Sequence, residues 1–129
     1  MGGGVYNLVI YLKGERRIQV GRLGCFGFPA GYYVYTGSAL GGLEARIARH
    51  LRRQKRKWWH VDYLLEWAEV AAVRRIPTRE RKECALNREV AGLAGAQVVA
   101  PGFGASDCGC ETHLFFFETR PEGIEGLTV

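Results

Sequence analysis

One stretch constrains this chain more than any other: Gly31 to His50, GYYVYTGSALGGLEARIARH, where a strand pattern passes into a helix pattern across glycines. Tyr33 and Tyr35 share a face, because strand side chains alternate with period two. The pattern predicts a strand that breaks at Gly37-Ser38, a turn through Gly41-Gly42, and a basic helix from about Gly42 to Arg53. On that helix Leu43, Ile47 and Leu51 form an apolar stripe at i, i+4, i+8. Arg46 and His50 lie one turn apart on its edge, and Arg49 and Arg53 sit further round, toward water. Two phenols at a strand end would then face an Arg/His pair near a helix start. Such a corner suits a phosphate, offering free backbone N–H groups, a helix N-terminus and a guanidinium. Its plain alternative is an ordinary β-α unit with a solvated basic face.

Around this unit the rest of the chain supplies a sheet. VYNLVIYL from Val5 is apolar on both faces and reads as a central strand covered on two sides. After a turn at Lys13–Arg16, RIQVGRL alternates well enough to return as the second strand of a hairpin. Trp58–Leu65 reads as a short helix, with the paired tryptophans as core or rim packing and His60 and Asp62 as cap and local hydrogen-bond partners. EVAAVRRI is a further strand. A helix capped near Thr78 runs to about Leu93, burying Cys84, Leu86 and Val90, and HLFFFE is the last strand. The class is α/β in the broad sense (α+β): a small, mostly antiparallel sheet of strands beginning near Val5, Ile18, Tyr32 and Val70, flanked by helices. One domain spans residues 1–129, with an ordered core at about 4–118 and a fraying tail at 120–129.

Charge narrows the partner. The net charge is +5, and its distribution says more than its total. Between Arg46 and Lys57 lie Arg49, Arg52, Arg53, Lys55 and Arg56, with no acidic residue among them. A one-sided basic block is the electrostatic footprint of a nucleic-acid binder, and a solvated helix end is its bland counterpart. No apolar run is long enough for a bilayer and the N-terminus lacks the features of a signal peptide, so a cytoplasmic location is expected. There is no P-loop, no dinucleotide fingerprint after the first strand, no nucleophile elbow and no internal repeat.

The four cysteines, Cys25, Cys84, Cys108 and Cys110, are too few for the framework of a secreted mini-protein and read as thiols or metal ligands. Cys108-x-Cys110-x-x-His113 offers three soft ligands in a glycine-rich loop. Zinc requires a fourth, which Cys84, Cys25 or His60 could supply through the fold. Buried free cysteines are the ordinary alternative.

The order Tyr35-Thr36-Gly37-Ser38, Leu43, Arg46, His50 resembles the second half of the GIY-YIG nuclease signature, with Gly4-Val5-Tyr6 as its first half on a separate strand. The long gap from Tyr6 to Tyr35 implies an inserted hairpin, and Val5 and Thr36 stand where the signature has isoleucines. WHVDYLL, ECAL, PGFGASDCGC and HLF are similar to a branch of GIY-YIG domains found alone or attached to endonuclease III-type repair proteins in archaea and bacteria. The resemblance covers Gly4 to Phe117. It implies metal-dependent phosphodiester cleavage of nucleic acid, DNA in a repair context, with association with a repair glycosylase. Glu83, or by its residue type alone Glu80 or Glu89 on the same helix, would hold one Mg²⁺ or Mn²⁺. Arg46 would stabilise the transition state, and Tyr6 would help position or deprotonate the attacking water with Tyr35 and His50 as hydrogen-bonding partners. Arg49, Arg53, Lys55, Arg56 and Lys57 would grip flanking phosphates. A non-cleaving nucleic-acid-binding module, or a zinc-stabilised interaction domain of a repair enzyme, are the rival expectations.

Overall fold

A computed structural model of the chain describes residues 2–128. In order, its elements are β1 (Gly4–Leu12), β2 (Arg16–Val20), β3 (Gly24–Phe28), β4 (Gly31–Ala39), α1 (Leu43–Leu51), α2 (His60–Leu65), β5 (Glu69–Pro77), α3 (Glu83–Ala91), β6 (Gln97–Val98), β7 (Leu114–Phe117) and β8 (Leu127–Thr128). The expected mixed class holds. A six-stranded sheet runs in the order β6-β7-β4-β1-β5-β8, every pairing antiparallel, and β2 and β3 form a separate two-stranded sheet.

β1 is the spine, as its two apolar faces require. Tyr6, Leu8, Ile10 and Leu12 pack with Tyr33, Tyr35, Leu43, Ile47, Val61, Leu64 and Phe103 on one face. Val9 packs with Val34, Ala72, Val90, Phe115 and Phe117 on the other. Helices α1 and α2 therefore cover one side and α3 the other, so both faces of the central strand are removed from water.

Five local expectations about the elements differ from the structure. RIQVGRL does not pair with β1, because β1 already has β4 on one edge and β5 on the other; β2 pairs instead with Gly24–Phe28, making the inserted arm a self-contained hairpin. β4 does not break at Gly37-Ser38: these residues pair with Tyr6 and Val5, since β1 supplies ladder partners as far as Gly4. α3 starts at Glu83 rather than near Thr78, whose hydroxyl accepts the Glu80 N–H at 3.0 Å in a local turn that competes with helix. The tail does not simply fray, because Leu127 and Thr128 close the free edge of β5 opposite Arg74 and Val73. Within α1, Leu51 leaves the expected apolar stripe at 51% exposed, whereas Leu43 and Ile47 are buried.

Candidate functional site

Tyr6 faces Gly37 across the β1–β4 ladder. A Cβ on Gly37 would come within 2.6 Å of the Tyr6 hydroxyl, so the glycine is required by close approach. The phenol reaches α1, where its oxygen lies 2.7 Å from His50 Nε2. Both groups are buried. Burial pushes Tyr6 above the ordinary tyrosine value, with the Arg46 guanidinium opposing it. Tyr35 is pushed up by burial as well, and by the neighbouring Tyr6. Burial pulls His50 down to about 4, against the attraction of Asp62. At neutral pH the buried pair is therefore a neutral phenol on a neutral imidazole.

Arg46, one turn before His50, stands between Tyr6 and the cleft. It donates to the Ser38 carbonyl at 2.9 Å, and its guanidinium lies over the Trp59 ring, 4.2 Å from the centroid. Arg46 lines an open cleft of about 430 Å³ together with Tyr35, Ser38, Trp58, Trp59 and Glu83. Of the five residues expected to converge, then, Tyr35, Arg46 and Glu83 border the cleft, while Tyr6 and His50 stand behind them in the core.

Asp62 organises this side. Its buried carboxylate accepts both terminal nitrogens of Arg49 at 3.0 Å and the backbone N–H groups of Trp58 and Trp59 at 2.7 and 2.9 Å. Those bonds, led by Arg49, hold Asp62 below the usual carboxylate range despite burial. Arg49 is thus committed to the fold instead of facing water, and its Nη2 also donates to the Arg56 carbonyl. Lys55 is committed too, its ammonium donating to the carbonyls of His50 and Arg52 at the end of α1. Lys57 pairs with Glu66 at 3.3 Å. Arg52, Arg53 and Arg56 remain exposed. Trp58, expected as packing, is 72% exposed and stands on the rim of the cleft. The adjacent basic run was the signal for it.

The second half of the site is the loop between β6 and β7 with the first turn of α3. Gly104, at φ +68°, lets the loop turn where a Cβ would meet Tyr35 at 3.0 Å and the His113 Cβ at 3.2 Å. Its N–H donates to His60 Nδ1 at 2.8 Å. Asn87 on α3 donates to the Thr112 carbonyl, tying helix to loop. The result gathers Cys84, Cys108, Cys110 and His113, whose ligand atoms all lie within 4.8 Å of one another. The fourth ligand left open by the sequence is therefore Cys84. Cys25 lies exposed on the β2–β3 arm, and His60 is engaged by the loop backbone.

His113 Nε2 lies 3.4 Å from Cys108 Sγ and 3.9 Å from Cys84 Sγ. Tetrahedral bonds of about 2.3 Å to sulfur and 2.0–2.1 Å to nitrogen put sulfur and nitrogen ligands about 3.5 Å apart, so the spacing fits a metal ion. The other ring nitrogen, Nδ1, is 3.0 Å from Glu83 Oε2 and 3.1 Å from the Thr36 carbonyl. A hydrogen bond with the Cys110 thiol, aided by burial, pushes Cys84 up to about 12. Three adjoining sulfurs ionise together only with a cation between them. This cluster could hold a metal ion.

The sequence profile of the domain of unknown function DUF123 matches residues 5–127. The chain belongs to the DUF123 family. That match runs from the second residue of β1 to the first residue of β8 and includes the Cys/His cluster and the cleft of this DUF123 domain. Comparison with curated proteins and with solved structures gave no match. Among the described residues no helix is long and apolar enough to cross a membrane.

Proposed function

We propose that this DUF123 domain is a divalent-cation-dependent endonuclease acting on DNA, with a zinc ion in the Cys84/Cys108/Cys110/His113 cluster as a structural element. The observation that carries the reading is that Arg46 and Glu83, brought from α1 and α3, border one cleft with Tyr35. Three thiols and an imidazole form a donor set for zinc, whereas Mg²⁺ and Mn²⁺ prefer oxygen ligands. Glu83 supplies such an oxygen, partly exposed at the cleft. A divalent cation there would neutralise charge on the scissile phosphate and favour departure of the leaving oxygen.

The chain's own groups do the rest. Arg46, held by Ser38 and Trp59, stabilises the charge that builds on the phosphoryl oxygens. Tyr6 stays protonated at neutral pH, so it serves as a hydrogen-bonding link between the cleft side of β4 and His50 rather than as a free phenolate base. Arg53 and Arg56 hold flanking phosphates without reading sequence. Trp58 on the rim suits stacking on an unpaired base. A repair context, and association with a repair glycosylase, belong to the same proposal.

The test is cleavage of a panel of branched, flapped and damaged DNA with Mg²⁺ or Mn²⁺. Wild type should nick at least one substrate, EDTA should stop it, and Arg46→Ala should slow it by about 10²–10³-fold, as for one preorganised donor. Glu83→Ala should abolish cutting while DNA is still bound. A wild type that binds DNA and never cuts leaves the non-cleaving binding module. The placement of Tyr6 and His50 behind the cleft favours that second reading.

A further inference from the structure

Glu83 belongs to two places at once. As the first residue of α3 it borders the cleft, and its neighbour Cys84 enters the thiol cluster. Its Oε2 lies 3.0 Å from His113 Nδ1, while His113 Nε2 is turned toward the sulfurs of Cys108 and Cys84. The imidazole is therefore a rigid bridge between the cluster and the one carboxylate that α3 presents to the cleft. His113 itself is 1% exposed and is pinned through its backbone, its N–H to the Phe103 carbonyl at 2.7 Å and its carbonyl to the Thr36 N–H at 3.0 Å.

We propose that Glu83 is a positioning residue for the metal cluster, and that cluster occupancy in turn fixes the carboxylate of the cleft. This rests on the zinc reading above. When a metal sits on Nε2, the single proton of a neutral imidazole must be on Nδ1, where it is donated to Glu83 and to the Thr36 carbonyl. Glu83 then has one oxygen tied back, and its remaining acceptor sites stay with the cleft. Without the metal Nδ1 still faces the same two acceptors, but the ring is no longer anchored at Nε2 or polarised by a cation there, so its hold on Glu83 weakens. Partners of this kind orient a metal-bound histidine and raise its basicity, and their loss weakens metal binding by about 10–100-fold. Linkage makes any coupling between the two cations reciprocal: by whatever factor a filled cluster strengthens a cation in the cleft, that cation strengthens the cluster metal.

The consequence is practical. Loss of cutting in Glu83→Ala has two routes, loss of a cleft ligand and loss of the cluster metal. Zn²⁺ affinity, measured on the full chain by competition with a chromophoric chelator, separates them. Glu83→Ala should bind Zn²⁺ about 10–100-fold more weakly than wild type, with Glu83→Gln, which keeps an acceptor without the charge, in between. Arg46→Ala, which borders the cleft but does not touch His113, should keep wild-type affinity. With Co²⁺ in the cluster, the visible ligand-field bands of Glu83→Ala should shift, a change that a purely scaffolding side chain would not cause. Mn²⁺ binding followed by electron paramagnetic resonance should be weaker in zinc-free than in zinc-loaded protein. Wild-type Zn²⁺ affinity and unshifted Co²⁺ bands in Glu83→Ala, or an equal loss in Arg46→Ala, overturn the coupling. Wild-type Zn²⁺ affinity in Cys108→Ser overturns the zinc reading itself.

Discussion

The two halves of the cleft are held by different physics. On the α1 side, Tyr6, His50, Trp59, Arg49 and Asp62 are knit by direct contacts, with Tyr6 on His50 at 2.7 Å and a two-pronged Arg49–Asp62 pair at 3.0 Å. On the α3 side, the loop that carries Cys108, Cys110 and His113 has few apolar side chains, and Phe103 is its main anchor in the core. Its four ligand atoms lie within 4.8 Å of one another, a donor set suited to a metal ion. One half is thus held by bonds within the chain, and the other, on the zinc reading, would be completed by an ion. A directly bonded polar network gives rigidity, here at the cost of leaving the buried His50 Nδ1 without a partner, whereas a thiol cluster that takes a metal makes local order depend on what is bound.

Metal removal tests that contrast most severely. A site filled at a thousandfold excess of free metal over its dissociation constant stabilises the folded state by about 4 kcal/mol. Chelation should remove that stability, lowering the melting temperature. Hydrogen exchange should locate the loss in residues 99–113 and the first turn of α3, with β1 and β4 still protected. Uniform loss of protection, or none, would erase the distinction between the halves.

The α1 half should instead be sensitive to acid. His50 is held near 4 by burial, below the ordinary histidine value of about 6.5. Between those values the unfolded chain binds a proton that the folded chain refuses, so stability falls as the pH drops through this window. The full loss is roughly 3 kcal/mol, complete below about pH 4. Denaturant titrations from pH 7 to 4 should trace that slope, and His50→Gln should flatten it. Both proteins are best compared with Cys108→Ser as background, because proton competition at the thiols falls in the same range. An identical slope in both would move the acid sensitivity to another group.

What the sequence made legible follows the same division. The doubly apolar β1 pattern gave the spine of the sheet, and the spacing of Arg46 and His50 placed both beside β4. Trp58, read as packing, faces solvent, and the adjacent basic run was the only hint of it. Less visible were features set by competition for partners: β2 turns to β3 because both edges of β1 are taken, and β8 adds to β5 because that edge is free. Cys84 could be no more than one of three choices for the fourth ligand, since its nearness to Cys108 depends on how α3 docks against the loop. The tie between Glu83 and His113 left no trace in spacing at all. Periodicity reports which face is buried and says nothing about which acid meets which imidazole.

The smallest expected effect sharpens the picture of the basic segment, where cations that look alike in sequence do different jobs. Arg49 and Lys55 are spent on Asp62 and on carbonyls of α1, whereas Arg53 and Arg56 are exposed. If the exposed pair neutralises phosphates, replacing both by Ala should reduce the steepness with which DNA affinity falls with salt. On duplex DNA the log–log slope should change by about 0.9 for each phosphate that is no longer neutralised. Folding stability should barely move, as expected for surface substitutions. Arg49→Ala should behave in the opposite way. It leaves the Asp62 carboxylate buried without its charged partner, so it should destabilise the fold and alter the salt slope little at temperatures where the protein stays folded. Fluorescence anisotropy of a labelled duplex over roughly 50 to 200 mM salt, run beside urea titrations, reads both quantities. A double mutant with the parental slope would make Arg53 and Arg56 ordinary solvated surface, and an Arg49→Ala slope change as large as theirs would show that the ion pair opens when DNA binds.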